Sequence, residues 1–242
     1  MQFNFEQLHI SMNKAPSFSE KTKLAELIAD NPKLLQVLPR FGIGLGFGDH
    51  NVAEVCKANN VSVKLFLLVC SVCFDADNLP HQADFDSIDM DGLLPYLLAS
   101  HRYYLDERFP HIEEHLQHII IAGGPKYGNM LSHFYNEYKQ EVEKHFKYEE
   151  EEVFPYIEAL RRGDCGKDYR IEQFRHNHSN IEDTLEDMNS ILIKYLPGDI
   201  LPKERIEIAM DIMELSADLV SHSLIEEHVL IPYVESLENA LP

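Results

Sequence analysis

The chain has 242 residues, which is enough for one large or two modest domains. Hydrophobic residues make up 45% of the sequence, which argues for a packed core and against global disorder. The formal net charge of −20 argues against nucleic acid and anionic membranes as partners, and it supplies the carboxylates that bind cations.

Cysteine content and hydropathy bear on location. The cysteines are too few for a disulfide scaffold, which favours a reduced, cytoplasmic setting (Cys56, Cys70, Cys73 and Cys165). Residues 1–14 lack the basic start and apolar stretch of a signal peptide, and the apolar run 65–74 is too short to span a bilayer. The sequence therefore predicts a cytoplasmic protein with no membrane partner. Cys70 and Cys73 are interpreted as buried core cysteines, with a redox or metal role as the alternative.

Helical stretches separated by clusters of glycine and proline run along the chain, and no convincing alternating strand pattern occurs. Residues 1–80 predict a small N-terminal helical domain. Within it, 19–42 contains two short helices, and 50–60 and 61–74 contain one helix each. The acidic, proline-containing stretch that follows is interpreted as a linker over 81–90.

Four long amphipathic helices are predicted within residues 91–240. Apolar residues recur at helical spacing in the segments 91–122, 126–162, 167–195 and 202–238. Short connections between such helices favour antiparallel neighbours. The predicted fold class is therefore all-α, with an antiparallel up-down four-helix bundle after the small N-terminal domain.

An internal repeat marks the second and fourth of these helices. "HFKYEEEEVFPYIEAL" begins at His145 and "HSLIEEHVLIPYVESL" begins at His222. The two share His, Glu, Glu, Pro, Tyr, Glu and Leu at identical spacing, 77 residues apart, and His101 and His178 have the same separation. Each half of the bundle thus carries a histidine followed 44 residues later by His-x-x-x-Glu, as in a duplicated helical hairpin.

The repeated histidines and glutamates are predicted to meet in one layer of the bundle. Counting from the turns at ~1.5 Å per residue puts the four histidines at nearly the same height, and residues four apart share a helix face. Six metal-binding side chains would then converge: His101, His145, Glu149, His178, His222 and Glu226. The alternatives are surface ion pairs for the two His-x-x-x-Glu motifs and structural core histidines for the other two positions, and both leave the repeat unexplained.

A buried cluster of two carboxylates and four imidazoles is unfavourable unless cations compensate it. Carboxylates can bridge two metal ions while imidazoles fill terminal positions, as in other sites inside helical bundles. Mixed imidazole and carboxylate ligands suit iron, manganese or zinc, and the ligand types do not choose among these metals.

These motifs resemble those of the hemerythrin-like (HHE cation-binding) family. Four motifs occur in the family's order, at 101–116, 145–155, 178–185 and 222–232. The resemblance covers about residues 90–238. It implies a non-haem centre of two iron ions bridged by Glu149 and Glu226, with manganese or zinc as alternatives.

The N-terminal stretch resembles a subgroup of that family, the iron–sulfur cluster repair (ScdA-like) di-iron proteins. Residues 21–56 are similar to their N-terminal pattern, with one departure. The subgroup carries Cys-Cys-Gly-Gly where this chain has Gly46-Phe47-Gly48-Asp49, so functions that need the cysteine pair are not implied. Oxygen-carrying hemerythrins have a fifth histidine where Phe174 stands here, and its loss favours reactivity or sensing over reversible oxygen transport.

The resemblance implies a cytoplasmic di-iron protein that binds or reacts with small oxidants such as oxygen, nitric oxide or peroxide. Iron–sulfur cluster repair, or a role in nitrosative or oxidative stress, follows as the leading hypothesis, with damaged iron–sulfur proteins as partners. The alternatives are a non-enzymatic sensor of oxygen, nitric oxide or iron, and simple metal buffering. Whether the protein is an enzyme stays open, as does a homodimer formed through the N-terminal domain.

Two smaller expectations concern the residues around the His-x-x-x-Glu motifs. Further glutamates follow the two ligand candidates and are interpreted as solvated, or as holding a ligand histidine through its other ring nitrogen (Glu150, Glu151, Glu152 and Glu227). Pro155 and Pro232 each remove a backbone donor, and each is predicted to kink its helix near the site.

Overall fold

The computed structural model describes residues 19–74, 85, 88–164, 169–177 and 183–240. The predicted all-α fold is confirmed: helices dominate these ranges, and the only strand-like pairing in them is one isolated bridge between Lys23 and Asn51. The chain divides into two compact units between Pro95 and Tyr96. The exact bounds of the predicted domains and linker stay predictions.

Four helices build the N-terminal unit: α1 (Leu24–Asp30), α2 (Leu34–Arg40), α3 (Val52–Ala58) and α4 (Val63–Phe74). Their apolar faces meet in a core that contains fully buried leucine, valine and phenylalanine side chains (Leu24, Leu34, Leu38, Val52, Leu65, Phe66 and Val69). Burial of such side chains stabilises each by roughly 1.5–3 kcal/mol and orders helices too short to form alone.

The segment between α2 and α3 is a glycine-rich turn followed by a strong helix start. Gly42, Gly46 and Gly48 have positive φ angles of 70°, 97° and 60°, which other residues rarely adopt. Asn51 then caps α3 by accepting a hydrogen bond from the Glu54 backbone N–H, and the Glu54 carboxylate accepts one from the Asn51 N–H. This capping box satisfies two backbone donors that would otherwise lack partners.

Cys56 and Cys70 of the N-terminal unit are core residues, whereas Cys73, which was also expected in the core, is half-buried. Cys56 and Cys70 are buried, and no disulfide joins cysteines in the described part of the chain. Burial raises the pKa of the Cys56 thiol to about 11 and raises that of Cys70 well above its usual range. A thiol that stays protonated is a poor nucleophile, so these two cysteines are unreactive in the folded protein.

The length and hydropathy of the described helices bear on whether one of them could cross a membrane. No single described helix is both long and apolar enough to cross a bilayer. The apolar stretches of α3 and α4 reach that length and composition only as a pair, across a bend of 120°.

The second unit is the predicted four-helix bundle, built from α-helical pieces and π-turns. The α-helical pieces are α5 (Leu93–Arg102), α6 (Phe109–Tyr148), α7 (Phe154–Arg161), α8 (Ile171–Asn177), α9 (Asp183–Ser190), α10 (Pro202–Ile225) and α11 (Ile231–Ala240). The π-turns are π1 (Tyr103–Arg108), π2 (Glu149–Val153), π3 (Ile191–Tyr195) and π4 (Glu226–Leu230). Gly124 has φ 64° and ψ −171°, so α6 is two bundle helices that meet at a sharp turn.

Hydrogen bonds join neighbouring segments of the bundle. The Tyr135 hydroxyl donates to the Phe109 carbonyl at 2.8 Å, across the first and second segments. The Tyr104 hydroxyl donates to the Asp218 carbonyl at 3.2 Å, across the first and fourth. The core between the segments is apolar and aromatic, with members from all four (Phe109, Ile112, Leu116, Tyr138, Phe146, Leu185, Met188, Ile208 and Ile212).

Each π-turn of the bundle comes just before a proline. The residue that follows each turn donates its backbone N–H five residues back, as Phe154 does to Glu149 and Ile231 does to Glu226. The next residue is proline in all four cases (Pro110, Pro155, Pro197 and Pro232). Proline lacks an N–H and its ring clashes with the carbonyl four residues earlier, which explains the wider turn. The expected disturbance at Pro155 and Pro232 thus takes the form of π-turns.

The turn between the first two bundle segments generates a stability prediction. A Cβ on Gly128 would lie 2.2 Å from the Ile120 carbonyl oxygen, and neither backbone can move without shifting a helix. We expect Gly128→Ala to lower the free energy of unfolding by about 1–3 kcal/mol, the usual range for overpacking. Gly198→Ala is the control, because a Cβ there meets no atom within 4 Å. Equal denaturation midpoints for the two variants would contradict this packing.

Candidate metal centre

Four side chains that can hold a metal ion meet in the middle of the bundle. They are His101 from α5, Glu149 from π2, His222 from α10 and Glu226 from π4, and one ligand atom of each lies within 4.8 Å of all the others. Their exposed fractions are 0%, 0%, 2% and 0%. The group is therefore formed by three separate bundle segments and is closed to bulk water.

Glu149 lies at the centre of the group. Its Oε2 atom is 3.0 Å from His101 Nε2, and its Oε1 atom is 2.7 Å from His145 Nε2. In the second copy of the repeat, His222 Nε2 lies 3.0 Å from Glu226 Oε1. Histidine and glutamate four residues apart share a helix face, so each motif presents both ligands inward together.

Aromatic rings form the wall around these polar groups. The His101 ring stacks on Phe146 with centroids 4.0 Å apart and on Phe154 at 5.7 Å. Tyr104 meets the His222 ring edge-on at 5.8 Å. Phe174, the residue that stands where a fifth histidine would be, lies 6.4 Å from the His145 ring. These rings limit ring rotation and keep the local dielectric low.

This environment is unfavourable for a bare carboxylate. Burial and the nearby Glu226 carboxylate together raise the pKa of Glu149 to about 8. Contact with His101 acts in the opposite direction and does not cancel these effects. The pair of acids therefore needs a proton or a cation between them.

The donor set fits a metal ion. Several buried polar atoms have no hydrogen-bond partner in the described part of the chain, despite their close approaches: His101 Nε2, both carboxylate oxygens of Glu149, and both ring nitrogens of His222. A cation among them would give each of the inward-facing atoms a ligand bond and would neutralise the carboxylates. The chemistry of the group, imidazole with carboxylate, suits iron, manganese or zinc.

Of the six side chains predicted as ligands, the structure brings five together. His101, Glu149, His222 and Glu226 form the compact group, and His145 contacts Glu149. The sixth, His178, lies outside the described residues. Their role as metal ligands stays a prediction. Other histidines of the bundle are exposed or half-buried (His111, His115, His118, His133 and His228).

Sequence reasoning missed most of the wall around the group. Phe146 and Phe154 follow the helical periodicity of any core residue, and nothing in the sequence distinguishes a ring that stacks on a histidine. The sequence did not distinguish Glu150 from the other flanking glutamates, yet its Oε1 atom lies 2.8 Å from His101 Nδ1. The available signal was the repeat, because Glu150 and Glu227 correspond whereas Glu151 and Glu152 have no acidic counterpart.

Comparison with known proteins agrees with this geometry. Residues 94–234 match the family described as "Hemerythrin HHE cation binding domain". The chain is also similar to "Iron-sulfur cluster repair protein ScdA" of Staphylococcus haemolyticus (strain JCSC1435), with 22% identity over 217 residues. That alignment covers 86% of this chain and 95% of the relative.

The raised pKa of Glu149 generates a pH prediction for the metal-free protein. Between pH 4.5 and about 8 the unfolded carboxyl is ionised while the buried one keeps its proton, so stability falls as pH rises through this window. Glu149→Gln removes the carboxyl group that takes up this proton on folding. We expect the stability of the variant relative to the unchanged chain to rise by on the order of 3 kcal/mol between pH 5 and pH 7.

The measurement is denaturant unfolding of chelator-treated protein at both pH values. Glu151→Gln is the matched control, since the Glu151 side chain is 64% exposed in the same turn. The same pH dependence in the unchanged chain and in Glu149→Gln would show that Glu149 is not the group that titrates.

Proposed function

This chain belongs to the hemerythrin family of HHE cation-binding domains, and we propose that it is a non-haem di-iron protein that serves in iron–sulfur cluster repair. The observation that carries the proposal is the buried group of two histidines and two glutamates, with a third histidine against Glu149. In a domain of a cation-binding family, burying these ligands is useful only when an ion is bound to them.

The residues divide naturally into two roles. Glu149 and Glu226 would hold the ions through their carboxylates, since both lie in the compact group and each repeat supplies one. His101, His145, His178 and His222 would hold them through their ring nitrogens. The bound irons would supply redox chemistry and positions for a small ligand. The protein would hold them in a dry, preformed cavity.

Burial restricts what such a centre can act on. The side chains of the compact group are at most 2% exposed, so a large substrate cannot touch the ions directly. A diatomic gas or peroxide is small enough to reach a centre of this kind. We therefore propose oxygen, nitric oxide or peroxide as the ligand, in a cytoplasmic response to nitrosative or oxidative stress.

The repair assignment draws on the similarity to the protein named ScdA, which extends through both units. In this scheme the damaged iron–sulfur protein would contact the surface of the bundle. There it would either receive iron or lose a bound oxidant. The alignment covers 86% of this chain, so it includes much of the N-terminal unit as well as the bundle.

A sensor is the second candidate, and one observation favours it. The turn that carries a cysteine pair in the cluster-repair proteins here contains Gly46, Phe47, Gly48 and Asp49, with positive φ at both glycines. A repair step that needs thiols at this turn cannot occur in this chain. A protein that binds a gas at the iron centre and signals to a partner has no such requirement.

Metal analysis tests the centre itself. We expect about two irons per chain, with the optical absorption of an oxo-bridged pair. The double variant Glu149→Ala, Glu226→Ala should lose most of the iron, because it removes both central carboxylates. The matched control is Glu151→Ala, Glu152→Ala, which removes two exposed carboxylates from the turn that contains Glu149. Full iron content in the first double variant would refute the site.

Recovery of activity separates the two functions. Iron-loaded protein is mixed with an iron–sulfur enzyme that nitric oxide has inactivated, and enzyme activity is followed. Repair predicts recovery that the Glu149→Ala, Glu226→Ala variant does not give. Reversible gas binding without recovery would favour the sensor.

A further inference from the structure

Both ring nitrogens of His101 lie close to carboxylates of neighbouring glutamates in π2. Nε2 lies 3.0 Å from Glu149 Oε2, and Nδ1 lies 2.8 Å from Glu150 Oε1. The two carboxylates have opposite surroundings: Glu149 is fully buried, whereas the Glu150 side chain is 42% exposed. One side of the ring therefore faces the dry interior and the other faces the rim of the bundle.

The two contacts differ in kind. The Nδ1 contact with Glu150 has the alignment of a hydrogen bond, whereas Nε2 has no aligned hydrogen-bond partner in the described residues. A proton on Nδ1 satisfies this arrangement, and it leaves a lone pair on Nε2 that points toward Glu149. A histidine binds a metal ion only through an unprotonated nitrogen.

We propose that Glu150 is a positioning residue for the metal centre: it accepts the Nδ1 proton of His101 and so presents Nε2 to the ion as a lone pair. The inference rests on the proposed di-iron function and deepens it. The exposed carboxylate acts through the histidine and does not itself touch the ions.

The other residues around His101 leave Glu150 as the group that determines which ring nitrogen carries the proton. Phe146 and Phe154 stack on the His101 ring and hold its plane, and they offer no polar atom to choose between the two nitrogens. Glu149 and Glu150 are the first two residues of the π-turn that precedes Pro155, and both contact His101. The second copy of the repeat keeps both acids, as Glu226 and Glu227.

Nitrogen NMR of the metal-free full chain tests the positioning directly. With ¹⁵N-labelled histidine and His101→Gln to assign the signals, we expect His101 to show a protonated Nδ1 and an unprotonated Nε2. Glu150→Ala should move the proton toward Nε2. Glu150→Gln, which keeps an acceptor oxygen, should retain most of the original state. An unchanged spectrum in Glu150→Ala would overturn the proposal.

Competition between the protein and a chelator for Co²⁺ measures the consequence for binding. Loss of a group that orients a metal-bound histidine usually costs 10–100-fold in affinity, and we expect Glu150→Ala to lose about that much at one of the ions. Glu150→Gln should lose less. Glu151→Ala is the matched control on the same turn and should stay within about twofold, since its carboxylate pairs only loosely with Lys147, at 3.8 Å.

The two measurements separate the two claims. Affinity within twofold in Glu150→Ala, with an ion bound to the unchanged chain, would overturn the positioning role and leave the di-iron proposal intact. No ion bound to the unchanged chain would refute the di-iron proposal, while the NMR experiment would still decide what Glu150 does.

Discussion

Two carboxylates that face each other inside a helical bundle are the constraint on which the rest of this protein depends. Glu149 and Glu226 are both fully buried, and burial together with their mutual repulsion raises the pKa of Glu149 to about 8. An apolar pair at these positions would fold more easily. Histidines from neighbouring segments approach the same point, and the group becomes favourable only when a positive charge joins it. The bundle thus gives up stability when empty in order to hold a preformed site.

The surroundings of this group follow from the same constraint. Rings from Phe146, Phe154 and Tyr104 exclude water, which strengthens any attraction between the carboxylates and a cation. Glu150 stands outside this wall and reaches in to the far side of His101. In the proposed centre, the inner residues would bind the ion and the outer residues would fix the orientation of the inner ones. Such supporting contacts are commonly worth as much as a factor of about 100 in affinity.

Much of the fold and part of the site could be predicted from the sequence. Helical periodicity and short connections indicated the bundle, and the 77-residue repeat singled out His145, Glu149, His222 and Glu226 among many histidines and glutamates. The π-turns could not be anticipated, because proline in a helix is compatible with a kink, a break or a wider turn, and packing chooses among them. For Glu150 the sequence offered contact with a ligand histidine as one alternative. It could not identify His101 as the partner, since the contact joins residues 49 positions apart and depends on side-chain rotamers.

The π-turns have a consequence for how an ion enters and leaves. Glu149 and Glu226 are each the first residue of a π-turn, where the regular helical ladder is interrupted. A π-turn lacks the regular backbone hydrogen bonds of the surrounding α-helix. The enclosed site would have to loosen before an ion could exchange, and this interruption lies beside the central carboxylates. The residence time of a bound ion would therefore depend on the motion of two helices as well as on the strength of its ligand bonds.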